Sequence, residues 1–296
     1  GSPHLQALTG VELNAGAHTN ITLTNNPILV GGSVYTITFN CTDALANSAV
    51  PVSVTNITFG PRQLITPAGG QSFTYLYDPV TNSYSYGPSL TAPANLGSLS
   101  FGINSGAQAG KTLVVLGFAG TTTNLYDPTT NSFAVGPSLP AAPGQYGAYS
   151  FSISSGVNNG KTMIVHGGSS VTTTLYDPVA NTMAPGPSLP SPASGGGHSF
   201  AIASGIQSGK TMIICGAGTA STALYDPTTG TFASGNNLAG AASDGAFAFS
   251  VNSGPQSGKW MIILAGGGTA TNLYDPTTDT FSAGTPDRKS TRLNSS

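Results

Sequence analysis

Short apolar runs, each bounded by glycine, proline or asparagine, recur along the chain at a regular distance. In one stretch, residues 150–153 alternate large and small side chains, and a polar loop, 154–159, leads to Gly160. Residues 161–166 are mainly apolar and stop at Gly167-Gly168. Residues 172–176 run to Asp177-Pro178, and residues 181–184 precede the Gly186-Pro187 turn. Short strands punctuated in this way predict an all-β fold. Runs such as Met212-Ile213-Ile214-Cys215 show no polar alternation, which is the pattern of a strand covered on both faces. No apolar run approaches the ~18–20 residues of a membrane-spanning helix.

The regular distance comes from an internal repeat. Leu-Tyr-Asp-Pro begins at Leu76, Leu125, Leu175, Leu224 and Leu273, with spacings of 49, 50, 49 and 49 residues. Fifteen residues before the last four copies stand Gly110-Lys111, Gly160-Lys161, Gly209-Lys210 and Gly258-Lys259, while the first copy has Gly60-Pro61-Arg62. A Gly-Pro-Ser-Leu turn follows at Gly87, Gly136 and Gly186. It becomes Gly235-Asn236-Asn237-Leu238 in the fourth unit and breaks off after Gly284-Thr285-Pro286 in the fifth. The fifth unit is therefore expected to be incomplete. A single four-stranded sheet cannot bury both faces alone, so consecutive units must stack.

This order of Gly-Lys, apolar strand, Gly-Gly, Tyr-Asp-Pro and Thr-Asn-aromatic resembles the kelch-type β-propeller, in its bacterial and galactose-oxidase-like version. The resemblance covers residues 60–286 and implies five recognisable four-stranded blades set radially around an axis. The double glycine survives as Gly167-Gly168 and Gly266-Gly267. The usual Trp of the fourth strand is replaced by Tyr84, Phe133, Met183, Phe232 or Phe281. A propeller hosts many unrelated functions, so the resemblance gives the fold and leaves the function open.

Residues 1–59 lie outside the repeat. Residues 21–24, 34–39 and 50–59 alternate and predict strands, either as a small β-domain or as a degenerate first blade. A short alternating segment with little core of its own is also suited to completing a neighbour's sheet by strand addition. Three N-glycosylation sequons fall here, at Asn20, Asn40 and Asn56; in a secretory route they would mark exposed glycan sites. At the other end, residues 287–296 hold three of the eight basic residues and look like the in-frame translation of a sequencing adapter. They read as a non-native tail, with the native chain expected to continue beyond Pro286.

Composition narrows the function classes. Charged residues make up 6% of the chain and Glu12 is the only Glu, which excludes a coiled coil, a disordered polyelectrolyte and a basic nucleic-acid binder. Forty Gly and 21 Pro disfavour long helices.

Asp78, Asp127, Asp177, Asp226 and Asp275 recur in every unit and read as structural turn residues. Each carboxylate caps backbone N–H groups while the following Pro fixes the turn. The Lys of each Gly-Lys reads as a solvated turn residue. Gly110-Lys111-Thr112 is no phosphate loop, because a strand rather than a helix follows. Positions that break the symmetry are better candidates: the second strand ends in Thr66, Leu116, His166, Cys215 and Leu264 in successive units. His166 and Cys215 stand in adjacent units, where they could approach, but two ligands are too few for a structural zinc site. A buried imidazole and a buried thiol are the expected state. His198 is expected to pack, and His4 and His18 lie outside the repeats. Whether Cys41 and Cys215 pair is open.

No nucleophile elbow is present, and paired-carboxylate chemistry would fall to scattered Asp residues. The galactose-oxidase-like resemblance implies a Tyr-Cys cofactor with two His ligands, and residues 1–286 show no such set in recognisable context. No catalytic, cofactor-binding or metal-binding residue is assigned, and the chain is expected not to be an enzyme. A nearly uncharged surface lacks the usual guard against association, and the Thr runs 121–123 and 172–174 are candidates for O-glycans. The expectation is an extracellular structural glycoprotein, a surface or filament subunit that assembles with itself through its N-terminal β-segment. The alternatives are a secreted carbohydrate- or protein-binding propeller and the scaffold of a truncated copper radical oxidase.

Overall fold

Each Leu-Tyr of the repeat sits on a strand and each Asp ends it. The computed structural model describes residues 63–287, apart from 68, 80 and 119, together with the backbone of two strands, 34–39 and 52–58. These two, β1 (Val34–Phe39) and β2 (Val52–Thr58), form an antiparallel ribbon. The first repeat contributes β3 (Gln63–Ile65), β4 (Tyr75–Asp78) and β5 (Ser83–Tyr86). The second blade has β6 (Leu99–Gly102), β7 (Thr112–Val115), β8 (Thr123–Asp127) and β9 (Ser132–Val135). The third has β10 (Tyr149–Ser152), β11 (Thr162–Val165), β12 (Thr173–Asp177) and β13 (Thr182–Pro185). The fourth has β14 (His198–Ala201), β15 (Thr211–Ile214), β16 (Thr222–Asp226) and β17 (Thr231–Ser234). The fifth has β18 (Phe247–Ser250), β19 (Trp260–Ile263), β20 (Thr271–Asp275) and β21 (Thr280–Ala283). The one helical element among the described residues is a 3-10 turn, Gly156–Asn158.

Strands follow one another across each sheet as antiparallel neighbours. Between sheets, the first strands meet in series, β6 with β10, β10 with β14 and β14 with β18. The sheets thus radiate from a common line, as propeller blades do. The expected positions of the third blade's four strands match those observed within a residue or two. The expectation of an incomplete last unit is corrected: β18–β21 is a full four-stranded sheet, and the first sheet has three strands among the described residues. The reason is phase. The turn that breaks off at Pro286 lies after the fourth strand, so what it interrupts is the link onward and not the sheet.

Two local devices hold each blade. The buried hydroxyls of Thr74, Thr123, Thr173, Thr222 and Thr271 donate to the carbonyls of Pro88, Pro137, Pro187, Asn236 and Thr285 at 2.7–2.8 Å. This staples the third strand to the turn after the fourth. The glycine that opens that turn is required, since a Cβ on Gly136 would collide with the Thr123 hydroxyl. Second, the Tyr of Leu-Tyr donates its hydroxyl to the turn residue five positions on. The pairs are Tyr77–Asn82, Tyr126–Asn131, Tyr176–Asn181 and Tyr274–Asp279, at 2.9–3.1 Å. All four acceptors have positive φ, a conformation Asn and Asp tolerate best among side-chain-bearing residues. In the fourth blade that position is Gly230, and Asn158 of the third blade donates to the Tyr225 hydroxyl at 3.1 Å instead.

Blades are joined by apolar contacts that repeat as strictly as the sequence does. Phe101, Phe151 and Phe200 on the first strands pack on Tyr176, Tyr225 and Tyr274 of the following blade, with ring centroids 5.7, 5.7 and 5.8 Å apart. Val114, Ile164, Ile213 and Ile262 on the second strands are fully buried. At the far end, the Asp287 N–H donates to the Thr269 carbonyl, as Leu90, Leu139, Leu189 and Leu238 donate to residues 72, 121, 171 and 220. Asp287 therefore stands where the other blades seat a buried leucine.

Candidate functional site

The recurring Asp residues form the turns the sequence called for. The Asp127 carboxylate accepts from the Thr129 N–H at 2.9 Å and from its hydroxyl at 2.5 Å, and Asp226 and Asp275 do the same with Thr228 and Thr277. Asp177 accepts from the N–H groups of Val179 and Ala180, and Asp78 from that of Thr81 at 3.3 Å. The repeated lysines are not merely solvated. Lys111, Lys161, Lys210 and Lys259 pair with Asp127, Asp177, Asp226 and Asp275 at 3.1–3.6 Å. The antiparallel register brings the start of the second strand beside the end of the third. Hydrogen bonds from the Thr hydroxyl, with the Lys adding to them, hold the Asp275 carboxyl down to about 2. Such partly exposed pairs organise turns and contribute little net stability.

The symmetry-breaking residues are buried but not assembled. His166 is 1% exposed, and its Nε2 lies 2.7 Å from the Thr174 hydroxyl in its own blade. Burial pushes its pKa below the ordinary histidine value, with the Ala142 backbone opposing. Cys215, a free thiol, lies 3.9 Å from the Ser191 carbonyl and is pushed up to about 11 by burial. These are equivalent seats one blade apart, and their hydrogen bonds run to Thr174 and Ser191, not to each other. His198 is partly buried, which lowers its pKa. The Tyr149 hydroxyl is buried without a hydrogen-bond partner, and burial, with the Cys215 thiol adding, raises its pKa. Tyr149 belongs to no repeated motif in the sequence, and its burial becomes visible only with the strands around it.

Among the described residues no three His, Cys, Asp or Glu side chains converge as metal ligands. His166, His198 and Cys215 are accordingly not a metal-ligating trio. Between the third and fourth blades a cleft of about 280 Å³ is lined by Ser152, Ser154, Ser155, Lys210, Thr211 and Tyr225, among others. Hydroxyls and one ion-paired ammonium line part of it, and Ile153, Ile202 and Pro227 supply an apolar wall of similar extent. Thr123, Thr173 and Thr174 are buried and hydrogen-bonded, so these members of the Thr runs are not O-glycan sites. Asn20 and Asn40 lie outside the described residues, as do Cys41, His4 and His18, and Asn56 falls on the β2 backbone. No helix among the described residues is long and apolar enough to cross a membrane.

No family model matches the chain, and no curated protein matches it. Among solved structures it is similar to a fungal alcohol oxidase of the AA5 family in complex with copper. The TM-score is 0.50 at 15% identity, over 88% of this chain and 64% of the oxidase. The expectation that the chain is not an enzyme is corrected by this likeness: the architecture is one on which an enzyme is built. At this identity it is the fold that is shared, a β-propeller-like arrangement of four-stranded sheets.

Proposed function

We propose that the chain is an extracellular propeller subunit that associates with copies of itself. The observation that carries this reading is where apolar surface is left uncovered. Tyr84 and Tyr86, two residues apart on β5 of the first blade, are 66% and 77% exposed. Contiguous exposed apolar surface of this kind marks interaction sites. The surface between the two ends carries few charges, and four of its lysines are already paired, so little electrostatic repulsion opposes contact. Sedimentation velocity of the full chain over a hundredfold concentration range tests the reading. A growing weight-average mass is expected, and a monomer throughout would defeat it. Glycans on Asn20, Asn40 and Asn56 belong to the same reading, and intact mass after secretion from a eukaryotic host checks them.

A second reading is favoured by the likeness to the copper alcohol oxidase: the chain is the propeller scaffold of an oxidase of that type. Among the described residues no three His, Cys, Asp or Glu side chains converge, so a copper site built from these types would need residues from elsewhere. Alcohol oxidation assayed with and without added copper tests it, and activity that depends on copper would establish it. Self-association concerns how the scaffold is assembled and is independent of any chemistry it carries.

A further inference from the structure

Among the described residues, the first blade has no strand at the position that every other blade places nearest the axis. In the complete blades the first strand pairs with the second, Leu99–Gly102 with Thr112–Val115 and so on through Phe247–Ser250 with Trp260–Ile263. In the first blade β3 is the counterpart of the second strand, because Gln63, Leu64 and Ile65 face Tyr77, Leu76 and Tyr75 as Thr112, Leu113 and Val114 face Tyr126, Leu125 and Asn124. Its other edge pairs with nothing among the described residues. The uncovered position is visible in Ile65, which is 39% exposed where its counterparts Val114, Ile164, Ile213 and Ile262 are all 0%. β3 is short, three residues, but it carries no charge, proline or bulge, and its unpaired main-chain groups are a template for strand addition.

The four complete blades also specify what fits. Their first strands read Leu-Ser-Phe-Gly, Tyr-Ser-Phe-Ser, His-Ser-Phe-Ala and Phe-Ala-Phe-Ser: large, small, large, small. The residue opposite the Ile65 position is always Ser or Ala. In β2 the string Val52-Ser53-Val54-Thr55 has this pattern, with Ser53 falling opposite Ile65 in the same register. The chain's own β2 is poorly placed to supply it. Every complete blade uses nine residues between its first and second strands, for example 103–111 between Gly102 and Thr112, whereas only residues 59–62 separate β2 from β3. Reaching that register within one chain would take residues 56–58 away from β1, breaking the Tyr35–Ile57 and Val34–Thr58 pairs.

We propose that the open edge of β3 accepts β2 of a second copy, so that the β1–β2 ribbon of one molecule completes the first blade of the next. This rests on the self-association reading above and names its donor and its acceptor. Main-chain hydrogen bonds would supply affinity, and the large-small alternation would supply register. The contact is heterologous, since donor and acceptor are different surfaces, so it propagates unless the geometry closes it into a ring.

The test uses the full chain carrying Ile65→p-benzoylphenylalanine, made as an equal mixture of 14N- and 15N-labelled protein and irradiated. Cross-links joining position 65 of one label to residues 52–58 of the other are expected. Cross-links confined to one label, or to other segments, would overturn the assignment. In parallel, Ile65→Lys places a charge on the exposed edge and should weaken association at least tenfold, with thermal unfolding unchanged as the check on folding. If the unaltered chain is monomeric, the self-association reading itself fails. If it associates and Ile65→Lys associates equally well, only the strand-addition assignment fails.

Discussion

The first and third blades share one repeat and differ in what that repeat achieves. In the third, Ile164 is buried and packs with Tyr176 and with Leu113, Val115 and Leu125 of the preceding blade, and Phe151 lies on Tyr225 of the next. In the first, Ile65 is exposed, Tyr84 and Tyr86 face solvent, and the rings of Tyr75 and Tyr77 lie against Phe73, Tyr86 and Tyr84 of the same repeat. The local motif is nearly the same in both. What differs is the neighbour, which shows that a blade's core is made between blades and that the repeat encodes half of an interface.

The largest effect should come from truncating that interface where it is complete. Ile164→Ala should cost about 3 kcal/mol in chemical denaturation, whereas Ile65→Ala should cost under about 1 kcal/mol. Equal losses at the two sites would break the comparison. Next, Thr173→Val removes the hydroxyl that staples the third strand to the Pro187 carbonyl and should cost about 1–2 kcal/mol. The same change at Thr74 in the first blade should cost nearly as much, because this device lies within one blade.

The smallest effect concerns pH. The carboxyls of Asp127, Asp177, Asp226 and Asp275 are held below their ordinary range by their turn hydrogen bonds and lysine partners. Their contribution is present above the unfolded-state value near 4 and is lost as pH falls through the folded value, about 2 for Asp275. Denaturation midpoints measured from pH 5 down to pH 2 should decline modestly, and a flat profile would show that the pairs do not couple to folding.

The local part of this structure was legible in the sequence. Strand positions, the Asx turns and the buried state of His166 and Cys215 follow from residues a few positions apart. The lysines were misjudged because their partners lie sixteen residues on, across a strand pair whose register a single unit does not reveal. The Thr staples were hidden for a related reason: threonine is common in strands, and only the turn fourteen residues later shows what the hydroxyl does. The three-stranded first sheet was invisible because its Leu-Tyr-Asp-Pro motif is intact and the deficit lies upstream. The non-enzyme expectation rested on missing motifs, and a shared architecture at 15% identity leaves no motif to find.

The Lys–Asp pairs carry one more consequence, for how the molecule finds anything. Each of these four lysines is matched within a few ångströms by an aspartate of its own blade, and the formal net charge of the chain is −2. Such a surface projects almost no field beyond the first layers of water, so encounters are not steered from a distance. Association should proceed at the roughly 10⁵–10⁶ M⁻¹s⁻¹ of unsteered collisions and scarcely change with ionic strength. Molecules of this kind recognise one another only on touching, and selection among partners falls to the fit of strand edges and rings.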